Sequence, residues 1–377
     1  MRTLLYLILC FPLLGVSQNL TSATNINISK SWSQEPSGYS YPIAVKVPTG
    51  TVPPSGFPVC ILLHGNGGNG MGMINQFMNT LECHVLIAPT GYMNSWNICA
   101  ENSDAPDIEM IDDLVNILQG YSNIDQNRIR IVGSSNGAGL ANNVFIQNDN
   151  PGIDIVCAIV SHLNEPQYHA GNFHKPSAST APLSSFCGYD SLVNPLTTRK
   201  YLSISNENDP IIPYLGGTSV VGVDFLPAEA AAYTIALNQG FSGNQLTSGT
   251  TMGSPQITEF SYLSGNVVHI KGDAAHSANT TERDYIKDFF SDCSTGTSIG
   301  DKELDKIRVY PNPTNSKVTV TGLPSQERTY SILNVFGQEV LSGSTDSGEF
   351  YINLSELAAQ VYFLKIDDKA FQIIKVD

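Results

Sequence analysis

Short, wholly apolar runs alternate with stretches of helical periodicity between residues 41 and 293. Strands that are apolar on both faces belong to sheets covered by helices on both sides, and connections through helices make such strands parallel. The pattern therefore predicts an α/β fold with a mostly parallel sheet. The predicted strands are 41–47, 59–63, 84–88, 129–133, 155–160, 201–205 and 267–271, and the predicted helices are 109–119, 136–148, 228–239 and 280–290.

The pattern changes at residues 294–302, a stretch rich in Ser, Thr and Gly that is typical of a linker. Beyond it, in residues 303–377, apolar and polar residues alternate in runs separated by turns at roughly ten-residue intervals. This alternation predicts a small antiparallel β-sandwich as a second domain. Its predicted strands are Lys317–Thr321, Tyr330–Phe336, Phe350–Leu354, Val361–Ile366 and Phe371–Val376.

The chain begins with the features of a secretory signal peptide over residues 1–17. Arg2 supplies the positive charge, Leu4–Leu14 the apolar core, and Ser17 a small residue that suits cleavage. The apolar run is too short to cross a bilayer, and no later run is long enough. These features predict an exported protein without a transmembrane segment, whose first domain spans 18–293.

The charge of the chain narrows the choice of partners. The formal net charge is −15, and charged residues make up 14% of the sequence. This balance disfavours binding to nucleic acid or to an anionic membrane. Cysteine and histidine do not cluster at the spacing of a zinc site, and the sequence calls for no metal or organic cofactor.

The cysteines that follow the signal peptide can form disulfides, because export brings them into an oxidising environment. Cys60 and Cys157 lie in apolar strands and are expected to be buried free thiols. The remaining cysteines lie at segment ends and are the candidates for disulfides, in a pairing that the sequence leaves open: Cys83, Cys99, Cys187 and Cys293.

A G-x-S-x-G motif, Gly133–Gly137, joins a predicted strand to a predicted helix. In this context the serine lies on a sharp turn with strained backbone angles, and its neighbours must be small for strand and helix to pack closely. The motif predicts that Ser135 is a nucleophile. The N–H group of Asn136 then points at the oxygen of a substrate carbonyl.

A second oxyanion donor is expected from the glycine-rich loop that follows the strand 59–63. The N–H group of Asn66 is the candidate. His64, at the start of this loop, precedes the nucleophile in the chain, and the order in this fold is serine, acid, histidine. His64 is therefore expected to be a structural turn residue.

The base and the acid must follow Ser135 in the chain. Of the downstream histidines, His269 lies inside a predicted strand and is expected to be packed in the sheet, whereas His276 lies in a loop after that strand. His276 is therefore the predicted base. Asp209, which follows the strand 201–205, is the predicted acid, and Glu207 is the alternative. All these positions fall at the carboxyl ends of strands, where active sites of such sheets lie.

Residues 41–293 resemble the polyhydroxybutyrate depolymerase and feruloyl esterase-like group of α/β-hydrolases. The resemblance rests on His64–Gly68, Ala88–Gly91, Ser95–Asn97, Asp112–Leu114, Asp125–Ile129, Gly133–Ala138, Asn208–Tyr214 and Gly216–Gly217. It implies an ester hydrolase with Ser135, Asp209 and His276 as its triad. Members often carry a glycine-rich stretch before the histidine and a tryptophan after it, where this chain has Asp273–Ala278.

Residues 303–377 resemble the type A sorting domain of the type IX secretion system. The resemblance rests on Val309–Pro313, Asn334–Gly337, Leu357–Phe363 and Lys375, with Gln360 where the family usually has glycine. It implies export across the outer membrane by the type IX secretion machinery, removal of the domain, and either release or attachment to the cell surface. An accessory carbohydrate-binding sandwich is the alternative, but the planar aromatic strip expected of one is absent.

The sequence thus predicts a secreted serine esterase acting on carboxylic esters, including polymeric ones, with Trp96, Tyr92 and His162 as candidates for the substrate pocket. Polyhydroxyalkanoates, feruloylated or acetylated polysaccharides and small acyl esters all remain open as substrates. A serine peptidase is the nearest alternative, because fold and triad do not separate ester from amide cleavage. A non-catalytic binding protein of the same fold is a further alternative, although degenerate members usually lose the serine or the histidine, and both are present.

Overall fold

A computed structural model describes residues 18–177, 185–290, 307–323, 328–335, 337–366 and 369–376. The chain divides into two compact units, Met1–Thr295 and Gly296–Asp377. The signal peptide predicted at 1–17 lies outside the described residues, and so does the linker predicted at 294–302.

The first unit alternates strands and helices through most of its length. Its strands are β1 Ser29–Trp32, β2 Glu35–Ser40, β3 Ile43–Lys46, β4 Phe57–Leu63, β5 Val85–Pro89, β6 Ile124–Ser134, β7 Ile153–Ile159, β8 Tyr168–His169, β9 Asn172–Pro176, β10 Tyr189–Val193, β11 Lys200–Asn206, β12 Gly217–Thr218, β13 Asp224–Phe225, β14 Thr250–Met252, β15 Ile257–Tyr262 and β16 Val267–Gly272. Its helices are α1 Gly70–Phe77, α2 Asp107–Leu118, α3 Asn136–Gln147, α4 Ala228–Asn238 and α5 Thr280–Phe289.

A nine-stranded sheet in the order β14-β15-β16-β11-β7-β6-β4-β5-β3 forms the centre of this unit. The six strands from β16 to β5 pair in parallel, whereas β3, β15 and β14 pair antiparallel at the two edges. This is the α/β-hydrolase architecture, and it confirms the predicted mostly parallel sheet. Its parallel strands all deliver their carboxyl ends to one edge, where the candidate site lies.

The wholly apolar strands are explained by burial on both faces of the sheet. In β4, Val59, Ile61 and Leu63 belong to one hydrophobic cluster, whereas Cys60 and Leu62 belong to another. Successive side chains of a strand point to opposite faces, so each face of β4 meets its own layer of helices.

The sequence prediction missed helix α1 and the strands β1, β2, β8, β9, β10 and β12 to β15 of this unit. Helix α1 is short and carries two glycines, which weaken the helical pattern. Strand β15 buries Ile257, Phe260 and Tyr262 at the antiparallel edge, and its partly alternating pattern is a signal that predicts a strand.

The described residues of the second unit form short strands, as its alternation predicts. They are β17 Arg308–Tyr310, β18 Lys317–Thr321, β19 Arg328–Leu333, β20 Glu339–Thr345, β21 Phe350–Asn353, β22 Val361–Ile366 and β23 Lys369–Ile374. They form antiparallel sheets in the orders β17-β18-β21 and β20-β19-β22-β23. Val318 and Ile352 of one sheet and Ile332 and Leu364 of the other share a single apolar cluster.

The cysteines divide as the sequence predicts. Cys60 and Cys157 are buried free thiols. Cys99 forms a disulfide with Cys187, and Cys83 is also disulfide-bonded. Cys293 lies outside the described residues.

In the described part of the chain, no helix has both the length and the apolarity to cross a membrane. In the same residues, no three His, Cys, Asp or Glu side chains are grouped so that they could hold a metal ion.

Candidate active site

Ser135 lies in the sharp turn between β6 and α3. Its backbone has φ 53° and ψ −120°, a conformation that costs a non-glycine residue about 1–3 kcal/mol. A Cβ at Gly133 would overlap the carbonyl of Gly137, and a Cβ at Gly137 would overlap that of Leu63. The glycines are therefore required by close approach of strand and helix, which holds the strained turn and raises Ser135 above the sheet.

In the predicted triad, His276 is within hydrogen-bond distance of both other side chains. His276 Nε2 is 2.7 Å from Ser135 Oγ. His276 Nδ1 is 2.8 Å from Asp209 Oδ2 and 3.0 Å from its Oδ1. Because a carboxylate only accepts, Nδ1 carries the proton and Nε2 is free to accept the serine hydroxyl.

Asp209 is held as an anion by its surroundings. Burial acts to raise its pKa, but hydrogen bonds from His276 and from the N–H groups of Ile211 and Ile212 outweigh it, and the pKa lies below its ordinary value. Glu207, the alternative acid, instead pairs with Lys271 at 3.1 Å, and its side chain is 55% exposed. The geometry thus favours Asp209 over Glu207.

His269 is packed within the sheet, as predicted. It is fully buried on β16, with Nε2 at 2.9 Å from Tyr214 Oη and Nδ1 at 3.4 Å from Ser203 Oγ. Burial, helped by His162 and Lys271, lowers its pKa to about 3, so the ring stays neutral.

His64 also has a structural environment. The N–H group of Gly91 donates to its Nε2 at 3.0 Å, so Nδ1 carries the proton and donates to Gly65 O at 2.8 Å. The ring lies against Trp96, with centroids 4.7 Å apart. Both nitrogens are therefore engaged in shaping the loop, as the expectation of a turn residue requires.

The two candidate oxyanion donors flank Ser135. Asn136 is the first residue of α3, where N–H groups have no acceptor within the helix. In the loop after β4, Gly67 donates to Asn94 O and Gly68 to Gly65 O, whereas no acceptor among the described residues receives the N–H of Asn66. Asn66, Asn136 and Ser135 line the same cavity.

The side chain of Asn136 binds the loop beside Ser135, a contact that the sequence did not predict. Its Nδ2 donates to Glu101 Oε1 at 2.8 Å. The other carboxyl oxygen of Glu101 accepts from the N–H groups of Ile98 and Cys99 at 3.1 and 2.7 Å. One amide and one carboxyl thus fix the loop that borders the cavity.

The cavity beside Ser135 has a volume of about 330 Å³. Its apolar lining residues are Met93, Ile98, Ile211, Ile212, Val221, Val223 and Phe225. Its polar lining residues, apart from Ser135, include Asn66, Glu101, Asn102, Ser103, Ser161 and Asn164. Most of these lie in loops whose sequences carry no periodic pattern, so only the neighbourhood of Asp209 offered a signal for Ile211 and Ile212.

The three predicted pocket residues lie outside this lining. Trp96 is fully buried and donates from its indole to His64 O at 2.8 Å. Tyr92 packs its ring edge-on against Trp32. His162 is 1% exposed and packs against Phe225, which itself lines the cavity. The expectation that these three residues line the pocket is therefore wrong. Their rings pack against other protein groups and not against the cavity.

Comparisons with known proteins assign the C-terminal unit. Residues 308–376 match the family model of the secretion system C-terminal sorting domain. This domain marks the chain for secretion across the outer membrane, to the medium or to the cell surface, through the type IX machinery. No curated protein sequence matches the chain.

Solved structures give distant similarities. A carboxylesterase from Bacillus cereus is 13% identical with a TM-score of 0.40, covering 66% of this chain and 93% of its own. An acetyl xylan esterase from Aspergillus awamori is 13% identical with a TM-score of 0.41, covering 66% and 94%. PorZ, a surface component of the type IX secretion system of Porphyromonas gingivalis, is 23% identical with a TM-score of 0.19, covering 21% and 13%. By its mostly parallel sheet and by the family match at residues 308–376, the chain joins an α/β-hydrolase fold to a C-terminal secretion sorting domain.

Proposed function

We propose that this protein is a secreted serine esterase that hydrolyses carboxylic esters through an acyl-enzyme on Ser135. The observation that supports the proposal most directly is the continuous hydrogen-bond chain from Ser135 Oγ through His276 to Asp209, with distances of 2.7 and 2.8 Å. A nucleophile, a base within reach of it and a group that orients the base are the parts that acyl transfer needs.

In the first half of the proposed reaction, Ser135 Oγ attacks the ester carbonyl and its proton passes to His276 Nε2. Asp209 keeps the imidazole in the productive tautomer and stabilises the imidazolium that forms. The imidazolium then donates its proton to the leaving alcohol. Water then attacks the acyl carbon while His276 takes its proton. The bond between the acyl carbon and Ser135 Oγ breaks, His276 returns the proton to Oγ, and the acyl group leaves as a carboxylic acid.

The N–H groups of Asn136 and Asn66 are proposed to stabilise the tetrahedral oxyanion. Such a donor contributes about 3 kcal/mol to the transition state of acyl transfer. The positive end of the α3 dipole at Asn136 acts in the same direction. No metal or organic cofactor enters this mechanism.

The proposed substrates are uncharged esters, of the polyhydroxybutyrate type or the feruloyl or acetyl esters of polysaccharides. The lining of the cavity supports a substrate with an uncharged acyl or alcohol group. Apolar side chains form a large part of this lining, and the acidic Glu101 disfavours an anionic group. A secreted location gives access to a polymer outside the cell.

The proposal is tested on the purified protein with p-nitrophenyl acetate and butyrate, methyl ferulate, acetylated xylan and hydroxybutyrate oligomers. A peptide p-nitroanilide series is run beside them, and Ser135→Ala is the control. We expect ester hydrolysis that the variant lacks, and a fluorophosphonate adduct on Ser135 by peptide mass. Preferred cleavage of the anilides would identify a peptidase, and no turnover together with no adduct would indicate a non-catalytic protein.

A further inference from the structure

The side chain of Asn206 binds the loop that carries His276 on both sides of the histidine. Asn206 ends β11, is fully buried, and donates from Nδ2 to Ala275 O at 3.1 Å and to Ser277 O at 3.0 Å. These are the carbonyls on either side of His276. A single amide group therefore fixes the backbone on both flanks of the proposed base.

The other end of this amide meets a second buried group, the carboxyl of Glu282 in the first turn of α5. Glu282 is fully buried, and its Oε2 accepts from the N–H of Asn279 at 2.6 Å in a capping box. A Cβ at Gly272 would overlap both Glu282 Oε1 and Asn206 Oδ1. Both oxygens therefore border the same small space beside Gly272, which only a residue without a side chain leaves open.

Among the described residues, Asn206 Oδ1 and Glu282 Oε1 are both buried without a hydrogen-bond donor. Two buried acceptors beside each other are unfavourable, because each has lost water and neither supplies a proton. The amide cannot rotate to relieve this, since Nδ2 is already committed to Ala275 and Ser277. A proton on Glu282 Oε1 satisfies both oxygens at once.

The electrostatic surroundings of Glu282 agree with a protonated carboxyl. Burial, together with the charge of Asp273, raises its pKa to about 7, against the opposing effects of the Asn279 N–H and of Arg283.

We propose that Glu282 is a positioning residue for the base: its protonated Oε1 donates to Asn206 Oδ1 and locks the amide that holds the His276 loop. The inference rests on the proposed function in so far as His276 acts on Ser135. Glu282 itself touches neither substrate nor reacting atoms, and it acts through Asn206 on the position of the imidazole.

The kinetic experiment compares Glu282→Gln, Glu282→Ala and the control Glu207→Gln. Glutamine keeps an acceptor for Asn279 and supplies an N–H donor for Asn206, so kcat should stay within about 3-fold of the parent protein. Alanine removes the donor, and kcat should fall about 10-fold or more with KM within 2-fold, because a misplaced base weakens the transition state and not substrate binding. Glu207→Gln removes a nearby exposed charge and should leave both constants unchanged.

A second experiment needs no substrate and no alanine variant. The unfolded chain releases the Glu282 proton near pH 4.5, whereas the folded protein keeps it to about pH 7, so stability contributed by this proton should decline across that window. In Glu282→Gln this part of the decline should be absent in urea unfolding at a series of pH values. The infrared difference spectrum between the two proteins at pH 6 should contain the carbonyl band of a protonated carboxylic acid.

Three results would overturn the proposal: a Glu282→Gln variant as impaired as Glu282→Ala, a Glu282→Ala variant with the parent kcat, or no protonated carboxyl band. Because the stability and infrared readouts are independent of turnover, they decide the protonation even if the chain proves to hydrolyse no ester. Failure of the esterase assay alone would refute the proposed function and leave this bond standing.

Discussion

Two hydrogen bonds join the side-chain amide of Asn136 to the backbone of Trp96. Trp96 N–H donates to Asn136 Oδ1 at 2.7 Å, and Asn136 Nδ2 donates to Trp96 O at 3.0 Å. The residue that follows the nucleophile therefore has two proposed roles: its backbone N–H faces the oxyanion, and its side chain fixes the loop at 96–101.

Asn136→Ala keeps the backbone donor and removes the loop contacts. We expect kcat/KM for p-nitrophenyl butyrate to fall about 10-fold, because Trp96 and Glu101 lose a half-buried hydrogen-bond partner. Asn136→Asp should be more damaging than alanine, because its second carboxyl oxygen would face Glu101. Equal kinetics for the parent protein and both variants would show that the loop is fixed without this side chain.

His276→Ala should abolish ester hydrolysis, because serine and base act as a unit. His269→Ala is the matched control, since His269 is a buried ring on the neighbouring strand and is outside the hydrogen-bond chain. It should lower the melting temperature but retain most of the kcat of the parent protein. An active His276→Ala protein beside a folded, inactive His269→Ala protein would mean that the base is misassigned.

Asp209→Asn should lower kcat by about 10³- to 10⁴-fold with little change in KM, because the amide favours the wrong imidazole tautomer. Glu207→Gln should retain full activity, since Glu207 pairs with Lys271 at the surface. Steady-state kinetics on one ester decide between the two carboxyls. An Asp209→Asn variant with the kcat of the parent protein would contradict the proposed triad.

The lowered pKa of Asp209 also predicts an effect on stability. A carboxyl whose pKa is lower in the folded protein than its ordinary 3.8 stabilises the fold above that value, and the contribution is lost as pH falls through the folded pKa. Asp209→Asn should therefore show a shallower loss of stability below pH 4 in denaturant titrations. If the free energy of unfolding of the variant fell below pH 4 as steeply as that of the parent protein, the lowered pKa of Asp209 would be contradicted.

Deletion of residues 308–376 should leave esterase activity intact in the purified protein, because every residue of the proposed site belongs to the first unit. In a host with type IX secretion, the truncated protein should not cross the outer membrane. Activity in cell fractions and in medium measures both effects. Secretion of the truncated protein in the same amount as the parent protein would show that another segment directs export.

The central sheet and the hydrogen-bond chain at Ser135 were accessible from sequence because their signals are local. Gly133 and Gly137 report a close strand-helix contact within five residues, and Asp209 and His276 each follow an apolar strand. The side-chain network around the site was not accessible in this way. Glu101 meets Asn136 across 35 positions, and Asn206 meets the 275–277 loop across about 70, in contacts that only the folded chain creates.

The lining of the cavity beside Ser135 was even less predictable from the sequence. Trp96 and His162 carry the aromatic character expected of a pocket, yet both rings are almost completely buried. Much of the lining comes instead from short loops, such as the one between β12 and β13 that supplies Val221 and Val223. Loop conformations depend on tertiary contacts and leave no periodic trace in the sequence.

The disulfide between Cys99 and Cys187 has a consequence for how the protein should be prepared. Cys99 N–H binds the same Glu101 carboxyl that holds Asn136, so the covalent link to the 185–188 segment continues to the residue beside the nucleophile. This link is made only in an oxidising compartment. Protein produced in a reducing cytoplasm carries the proposed triad but lacks this disulfide, so assays of the proposed activity should use protein made in an oxidising compartment.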